Sequence, residues 1–377
     1  MLKTIAIVAT EHSGDLIGAE LTRALFRENS NLNLIGLCGA KMRAAGCHEI
    51  GSIEELSVMG FVDVLVNYPR LRRLQKRIIK SLLEQGVDAF IGIDGPDFNL
   101  PISRQLRKLG VFTAQYVCPQ AWAWREGRVK SIRRSIDMMF ALFPFEEDFF
   151  QQRGIDTMFV GHPLAESTKQ YQLGDDAHSS SIIPKRSGLV VAIMPGSRPA
   201  EIERHLDLFL RAGVELRKTL GQSVKLLIGC SSTDRENIVR SLMGDYDCEI
   251  VVGNSHQVLT KADVAIVVSG TIALESMLCK TPVVVAYKTS KINYVILKLL
   301  VKTKYISLPN ILTDMKLIPE LVQGEVQPRY LAREAINWLI DTQKKNIFLL
   351  KADLIQRRLQ QDGSKKVAQT LLQRIEA

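Results

Sequence analysis

Short apolar runs alternate with longer helical segments along most of this chain. In the first half the runs are TIAIVA (4–9), NLIGLCGA (33–40), AFIGID (89–94), TAQYVC (113–118) and MMFALF (138–143). Runs of this length, separated by helical windows, are typical of a parallel sheet that is covered by helices on both faces. The first half therefore predicts a doubly wound α/β domain.

The alternation stops at a polar segment and then starts again. The segment QYQLGDDAHSSSIIPKRSG (170–188) is typical of a linker. New apolar runs follow at LVVAIMPGSR (189–198), KLLIGC (225–230), EIVVG (249–253), ADVAIVVSGT (262–271) and PVVVAY (282–287). We expect two doubly wound, Rossmann-like α/β domains, residues 1–165 and 189–345, with a cleft between them. The C-terminal helix, about residues 345–377, is a candidate to pack back on the first domain.

The net charge and the cysteine content indicate which classes of partner and which cellular compartment suit this chain. The net charge of +9 favours anionic partners, such as phosphorylated metabolites or a membrane surface. No zinc module or RNP motif supports nucleic-acid binding. The six cysteines form no C-x-x-C pair, which favours a reducing cytosol over a disulfide framework or a zinc site. We expect neither a signal peptide nor a transmembrane helix, because every apolar run is too short.

Two loops of the second half are candidate anion sites, because ligands of such sheets bind beyond the carboxyl ends of the strands. In PGSR (195–198), the amides near Ser197 and the guanidinium of Arg198 suit a phosphate at a helix start. In SGTIALE (269–275), Ser269, Gly270 and Thr271 suit a second phosphate or a ribose, and Glu275 suits ribose hydroxyls. The alternatives are a plain strand–helix turn with a surface arginine and simple helix capping.

Two loops of the first half carry the remaining carboxylates. TEHSGD (10–15) lacks the G-x-G-x-x-G spacing of a dinucleotide site and offers Glu11, Ser13 and Asp15, of which Ser13 and Asp15 are plausible N-caps. In GIDGPDFN (92–99) we expect Asp97 to cap the next helix. Asp94 then stays free at the strand end as a general base, with a loop-anchoring carboxylate as the alternative.

One helix combines a basic face with apolar side chains. NYPRLRRLQKRIIKSLLEQ (67–85) places Leu71, Leu74 and Ile78 at helical spacing among basic residues that include Arg73, and an apolar segment containing Leu65 precedes it. This pattern predicts contact with an anionic membrane. A scaffold helix with a solvated basic face is the alternative.

The assembled motifs resemble the lipid-A-disaccharide synthase family of B-type glycosyltransferases. The matching stretches are SGD (13–15), MGFVDVL (59–65), GIDGPDFN (92–99), YVCPQAWAWR (116–125), FPFE (143–146), VGHPL (160–164), PGSR (195–198), SGTIALE (269–275), LPNIL (308–312) and PEL (319–321). They follow one another in order over nearly the whole chain. The resemblance implies the GT-B architecture, which consists of two Rossmann-like domains and a cleft.

The resemblance also implies a reaction. UDP-2,3-diacylglucosamine donates its sugar to the 6-hydroxyl of 2,3-diacylglucosamine 1-phosphate, with inversion, and the products are a β-1,6 disaccharide 1-phosphate and UDP. It implies Asp94 as the base and Arg198 as an essential arginine, with Glu275 and Asn310 near the ribose and the base. Glu11 and Asp15 become cleft residues whose roles stay unseparated. It implies neither a metal nor a cofactor.

The substrates and known relatives suggest two further partners. Acylated substrates imply a peripheral position on the cytoplasmic face of the inner membrane. Relatives that pair through their C-terminal halves imply a homodimer.

The sequence leaves two other functions open. One is another UDP-sugar enzyme of the same fold, such as a 2-epimerase or a peptidoglycan glycosyltransferase. The other is a membrane scaffold without catalysis.

Overall fold

The chain forms two compact units. The computed structural model describes residues 2–57, 64–123, 126–168, 188–221, 224–301 and 303–376, without the side chains of residues 57, 64–68, 292, 296, 297, 299 and 300. The first unit comprises Met1–Pro163 and Leu359–Ala377, and the second comprises Leu164–Arg358. Each unit contains one parallel sheet, so the predicted pair of doubly wound α/β domains is confirmed.

The described residues of the first unit form seven parallel strands in the order β3-β2-β1-β4-β5-β6-β7. The strands are β1 (Lys3–Ala9), β2 (Leu32–Cys38), β3 (His48–Ser52), β4 (Ala89–Ile93), β5 (Phe112–Tyr116), β6 (Met138–Ala141) and β7 (Asp156–Phe159). The helices are α1 (His12–Glu28), α2 (Ala40–Ala44), α3 (Glu54–Ser57), α4 (Val64–Glu84), α5 (Pro96–Lys108), α6 (Val129–Arg133) and α7 (Pro144–Gln151). The strand order reverses between β1 and β4, so the loops that follow these two strands leave the sheet side by side.

In the part of the second unit that the structure describes, six parallel strands follow the order β10-β9-β8-β11-β12-β13. The strands are β8 (Leu189–Met194), β9 (Val224–Cys230), β10 (Glu249–Val252), β11 (Val264–Val268), β12 (Val283–Tyr287) and β13 (Glu320–Val322). A short helix, α8 (residues 163–168), precedes them at the unit boundary. The later helices are α9 (Pro199–Leu220), α10 (Thr233–Leu242), α11 (Ser255–Thr260), α12 (Thr271–Leu278), α13 (Lys291–Leu300), α14 (Leu308–Thr313), α15 (Pro328–Ile340), α16 (Thr342–Leu359) and α17 (Gly363–Glu376). Here the strand order reverses between β8 and β11.

The central strands are buried on both faces, which explains their continuous apolar sequence. Ile5, Ala6, Ile7, Val8 and Ala9 of β1 are all fully buried. Burial of both faces is expected of a parallel sheet that has helices on each side. Because the strands are buried, the polar side chains of each unit gather at the loops that follow the strand ends.

The C-terminal return to the first unit is shorter than the sequence predicts. Only the segment from Leu359 onward joins that unit, rather than the segment from about residue 345. Most of α16 stays with the second unit, where Phe348 is buried against Trp338 with ring centroids 5.3 Å apart. In the first unit, the amide of His162 donates to the carbonyl of Leu359 at 2.9 Å. Among the described residues, no helix is both long and apolar enough to cross a bilayer.

Candidate active site

The turn that follows β4 holds Asp94 in an unusual backbone conformation. Asp94 has a φ of 51° and Gly95 a φ of 44°, both in the left-handed region. The amide of Asp94 donates to the carbonyl of Tyr116 at 2.9 Å. The carbonyl of Asp94 accepts from the side-chain amides of Asn99, at 2.8 Å, and Gln115, at 3.0 Å. The main chain of the candidate base is therefore fixed from two neighbouring elements.

The carboxylate of Asp94 is only partly exposed. Burial raises its pKa, and a hydrogen bond from the amide of Gly95 opposes this rise. A partly dry carboxylate at a strand end accepts a proton more readily than a fully solvated one does. The environment of Asp94 therefore suits the general-base role that the sequence predicts.

Asp97 does not cap the helix as predicted. Gly95 occupies the N-cap position of α5 and Pro96 is the first helical residue, so Asp97 lies one position too far into the helix. Its exposed side chain instead forms an ion pair with Arg128. This pair links the start of α5 to the loop that follows β5.

The loop that follows β1 lies against the Asp94 turn. A Cβ atom placed on Gly95 would come within 2.2 Å of the hydroxyl oxygen of Thr10, so only glycine fits there. Glu11 takes the N-cap position of α1, and both Glu11 and Ser13 are exposed in this loop. The structure therefore brings the region of Glu11 and Ser13 next to Asp94. Ser13 was predicted as a possible N-cap, but Glu11 occupies that position.

Asp15 is bonded to main-chain amides of a neighbouring element in the first unit. It is buried, and its carboxylate accepts hydrogen bonds from the amides of Gly39 at 2.8 Å, Lys41 at 2.9 Å and Met42 at 3.1 Å. These amides open α2, so Asp15 caps α2 rather than its own helix. Both of its oxygens are used inside the fold, and its predicted role in substrate binding stays a prediction.

In the second unit, Arg198 stands at the start of α9 as predicted. Its side chain is 70% exposed, and its Nη1 donates to Oε1 of Glu201 at 2.9 Å. The other oxygen of Glu201 accepts from the amides of Ser197 and Arg198 at 3.2 and 3.3 Å. The guanidinium faces solvent at a strand end, while the two amides expected to bind an anion already have an internal acceptor.

The loop that follows β11 leaves the sheet beside the loop of Arg198, because β11 pairs with β8. Gly270 and Thr271 are exposed there at the start of α12. The hydroxyl of Ser269 donates to the carbonyl of Ile306 at 3.2 Å, so this side chain is partly used by the scaffold. The two loops therefore form one exposed, amide-rich edge.

Glu275 lies one turn into α12 and has a partner that the sequence did not indicate. The hydroxyl of Ser255, at the start of α11, donates to Glu275 at 2.5 Å. Burial raises the pKa of Glu275, and the bond from Ser255 opposes this. Because Ser255 is twenty positions away, the spacing of the SGTIALE motif could not reveal it.

Asn310 is hydrogen-bonded at both ends of its side-chain amide. It is fully buried. Its oxygen accepts from the amide of Ile318 at 2.9 Å, and its nitrogen donates to the carbonyl of Ile318 at 3.0 Å and to Glu320 at 2.8 Å. The motifs LPNIL and PEL are thus bonded to each other, and the predicted role of Asn310 in substrate binding stays a prediction.

The apolar stripe of α4 mostly faces the protein interior. Leu74 is 7% exposed and Ile78 is 1% exposed, so their assignment to membrane contact is wrong. Leu71 is partly exposed and Arg73 is exposed, as contact with a membrane requires. The side chain of Leu65 and all of residues 58–63 lie outside the described residues.

Sequence reasoning missed His205, which lies on α9, the helix that begins after Arg198. Its Nε2 accepts from the amide of Lys288 at 3.0 Å, so the proton lies on Nδ1, which donates to the carbonyl of Glu201 at 2.8 Å. Burial lowers the pKa of His205, which keeps the ring neutral. His205 therefore ties the helix of Arg198 to the loop after β12.

Glu146, in the FPFE motif, was also missed. Its buried carboxyl accepts from the indole of Trp122 at 3.1 Å and from the amides of Leu142 and Phe143 at 3.2 and 3.1 Å. Burial raises its pKa to about 7, and these hydrogen bonds oppose the rise. Glu146 therefore orients Trp122 in the loop after β5, whose residues 124 and 125 lie outside the described ones.

Metal-ligand side chains do not cluster in the described ranges. Across those residues, no group of three or more His, Cys, Asp and Glu side chains is placed to hold a metal ion. The first unit presents the carboxylate of Asp94, and the second presents the guanidinium of Arg198 and the helix-start amides after β11.

Comparison with known proteins connects these features to a family. A family model described as lipid-A-disaccharide synthetase matches residues 5–374. A lipid-A-disaccharide synthase of Pseudomonas paraeruginosa (strain DSM 24068 / PA7) is 41% identical over 377 residues, covering 99% of this chain and 98% of that protein.

Solved structures agree with the fold. The glycotransferase of kitacinnamycin has a TM-score of 0.67 at 16% identity and covers 100% of this chain and 99% of its own. The UDP-GlcNAc 2-epimerase of Neisseria meningitidis, solved with UDP-GlcNAc bound, has a TM-score of 0.61 at 13% identity and covers 99% and 100%. At these identities the likeness concerns the GT-B fold alone.

Proposed function

The chain belongs to the lipid-A-disaccharide synthase family, and on that premise we propose the reaction that it catalyses. Members of the family are glycosyltransferases of lipid A biosynthesis, which implies a sugar nucleotide and a lipid-linked glucosamine as substrates. The proposed donor is UDP-2,3-diacylglucosamine and the proposed acceptor is 2,3-diacylglucosamine 1-phosphate. The products are the β-1,6-linked disaccharide 1-phosphate and UDP.

The proposed chemistry is a single displacement that inverts the anomeric carbon. The carboxylate of Asp94 takes the proton of the acceptor 6-hydroxyl while that oxygen forms a bond to C1 of the donor sugar. The bond from C1 to the diphosphate breaks, and its electron pair leaves with UDP. One base suffices, and no covalent sugar–enzyme intermediate forms, as in inverting glycosidases with water replaced by a sugar hydroxyl.

In the second unit, the proposed role of Arg198 is to stabilise negative charge on the departing diphosphate. Its exposed guanidinium and the helix-start amides after β11 supply donors where that charge develops. Glu275, held by Ser255, is the proposed acceptor for the ribose hydroxyls. Glu11 and Ser13 are proposed to contact the acceptor sugar, because their loop touches the Asp94 turn.

The observation that supports this proposal is the Asp94 turn, whose main chain is fixed and whose carboxyl group has a raised pKa. The test is a mass-spectrometric assay with both diacylglucosamine substrates, run on the wild type and on Asp94→Asn. We expect disaccharide 1-phosphate from the wild type and a rate lower by roughly 10²–10⁴-fold in the variant, which is the usual contribution of a general base. Full activity in Asp94→Asn would contradict the assignment of Asp94 as the base. An α-linked product in the NMR spectrum would contradict the proposed inversion.

Two associations complete the proposal. The exposed basic side chains of α4, which include Arg73, Lys76 and Lys80, are proposed to dock on the anionic cytoplasmic face of the inner membrane.

A homodimer is proposed from the family resemblance. Light scattering at catalytic concentrations measures the oligomeric state, and a monomer there would contradict it.

A further inference from the structure

Two adjacent strand ends of the first unit finish in strained backbone conformations. Asp94, after β4, has a φ of 51°, and Val117, after the neighbouring β5, has a φ of 73°. Positive φ is uncommon for residues other than glycine and is a true outlier for a β-branched one. Such conformations persist only where the surrounding structure holds them, and they concentrate at functional sites.

Two buried amide side chains hold the Asp94 peptide. Both donate to the same carbonyl oxygen of Asp94, Asn99 from α5 at 2.8 Å and Gln115 from β5 at 3.0 Å. Gln115 also lies 3.4 Å from the carbonyl of Val117, so it bridges the two strained turns. Asn99 lies 3.4 Å from the carbonyl of Val8 in β1, on the other side of β4. The turn is thereby tied to both neighbouring strands.

The other end of each amide is unsatisfied. Asn99 and Gln115 are fully buried, yet Oδ1 of Asn99 and Oε1 of Gln115 have no hydrogen-bond partner within the described part of the chain. Burying an acceptor without a partner costs stability. Asn310, a buried amide of the second unit, has partners at both ends. Amides kept only for folding would be expected to resemble Asn310.

We propose that Asn99 and Gln115 are positioning residues for Asp94. They turn its carbonyl inward and keep its carboxylate on the partly exposed side of the turn, where the acceptor hydroxyl must lie. Neither amide touches the substrate, and each acts through the Asp94 peptide. The inference rests on the proposed function, because it assumes that Asp94 is the base.

The first experiment compares steady-state kinetics of Asn99→Leu and Gln115→Met with those of the wild type. Asn99→Leu keeps the branched shape of the side chain, Gln115→Met keeps its approximate length, and both remove the amide. We expect kcat to fall by about a hundredfold, as a small misplacement of a reacting group does, with the acceptor KM within threefold. The matched control is Gln75→Met, because Gln75 is a buried amide that donates to the carbonyl of Phe98, at 2.9 Å, rather than to that of Asp94. It should lower Tm without lowering kcat.

A double-mutant cycle separates positioning from mere scaffolding. If Gln115 acts through Asp94, Gln115→Met should cause no further loss of kcat in the Asp94→Asn background. Independent, multiplicative losses would overturn the inference. So would variants of Asn99 and Gln115 that lose Tm but keep kcat.

A crystal structure of Gln115→Met gives a readout that does not depend on the substrates. We expect Asp94 to leave the left-handed region once one of its two donors is gone. An unchanged Asp94 turn would overturn the inference even if the enzyme proved to use other sugars. Absence of disaccharide from the wild type would instead overturn the proposed function.

Discussion

At the scale of single residues, the site depends on how each carboxylate is used. Asp94 and Asp97 stand three positions apart. Asp94 is partly buried and its pKa is raised, while Asp97 is exposed and paired with Arg128. In the second unit, Glu275 is buried beside Ser255. A carboxylate sheltered from water but still reachable is suited to proton transfer or to binding hydroxyl groups.

The raised pKa of Asp94 predicts the acid limb of the pH–rate profile. The base works only when ionised, so kcat/KM should fall as pH decreases through the folded-state pKa. Because burial raises that pKa, the fall should begin at a higher pH than an exposed aspartate would give. The measurement is kcat/KM against pH, with Asp97→Asn as the control. If Asp97→Asn moved the limb, the wrong carboxylate would have been chosen.

At the scale of elements, loops are held by side chains from other parts of the chain. Asp15 on α1 caps α2, Asn310 on α14 binds Ile318 before β13, and Glu146 on α7 orients Trp122. The strand positions were predictable because continuous apolar runs can only be buried strands in this pattern. Which polar residues cap and which stay open was not, because capping partners lie far away in sequence. The burial of Leu74 was also unpredictable, because the elements that α4 packs against lie elsewhere in the sequence.

The capping role of Asp15 predicts a stability effect without a catalytic one. Asp15→Ala leaves three amides of the β2–α2 region without their acceptor, so it should lower the free energy of unfolding by about 1–2 kcal/mol. The kcat of the folded fraction should stay near that of the wild type. Urea unfolding combined with active-site titration measures both quantities. A loss of kcat with unchanged stability would instead support the predicted role of Asp15 in substrate binding.

Glu146 predicts how the stability of the first unit changes with pH. Its pKa is raised from 4.5 to about 7 on folding, so the folded state holds a proton that the unfolded state releases between these values. Stability should therefore fall as pH rises through that window, by up to about 3 kcal/mol. His162, which contacts the ring of Phe143, has its pKa lowered to about 4, so its effect has the opposite sign and lies between about 4 and 6.5.

The measurement for Glu146 is urea unfolding at pH 5 and pH 8, in the wild type and in Glu146→Gln. The variant should lose the decrease in stability that the wild type shows. Asp148→Asn, an exposed neighbour on α7, is the matched control and should follow the wild type. An equal pH dependence in the wild type and Glu146→Gln would show that Glu146 does not titrate in this window.

At the scale of the whole molecule, two α/β units carry different chemistry. The first presents Asp94 and the exposed basic side chains of α4, and the second presents Arg198 and Glu275. The apolar runs were sufficient to predict both sheets, and GIDGPDFN, PGSR and SGTIALE predicted the loops that follow β4, β8 and β11. The motifs could not show which polar side chains are bonded inside the fold, since Asn310 and Glu275 occur in equally prominent motifs.

The proposed membrane docking predicts binding that depends on charge. Changing Arg73, Lys76 and Lys80 together to glutamine should weaken binding to anionic vesicles by about tenfold or more, since each basic residue near such a surface contributes about 1 kcal/mol. The control changes the exposed Arg211, Lys218 and Lys225 of the second unit in the same way. Vesicle sedimentation at two salt concentrations measures both variants. Equal losses in the two would mean that net charge, rather than α4, governs binding.

The carboxylate of Glu201 has a consequence for how strongly a nucleotide binds. Because it already accepts from the amides of Ser197 and Arg198, a phosphate that takes those amides must displace it. The free energy of binding then includes only the difference between the hydrogen bonds to phosphate and those to Glu201. When the phosphate leaves, Glu201 can accept from the two amides again. Such an exchange lowers affinity for the product as well as for the donor, and it favours rapid turnover over tight retention of the nucleotide.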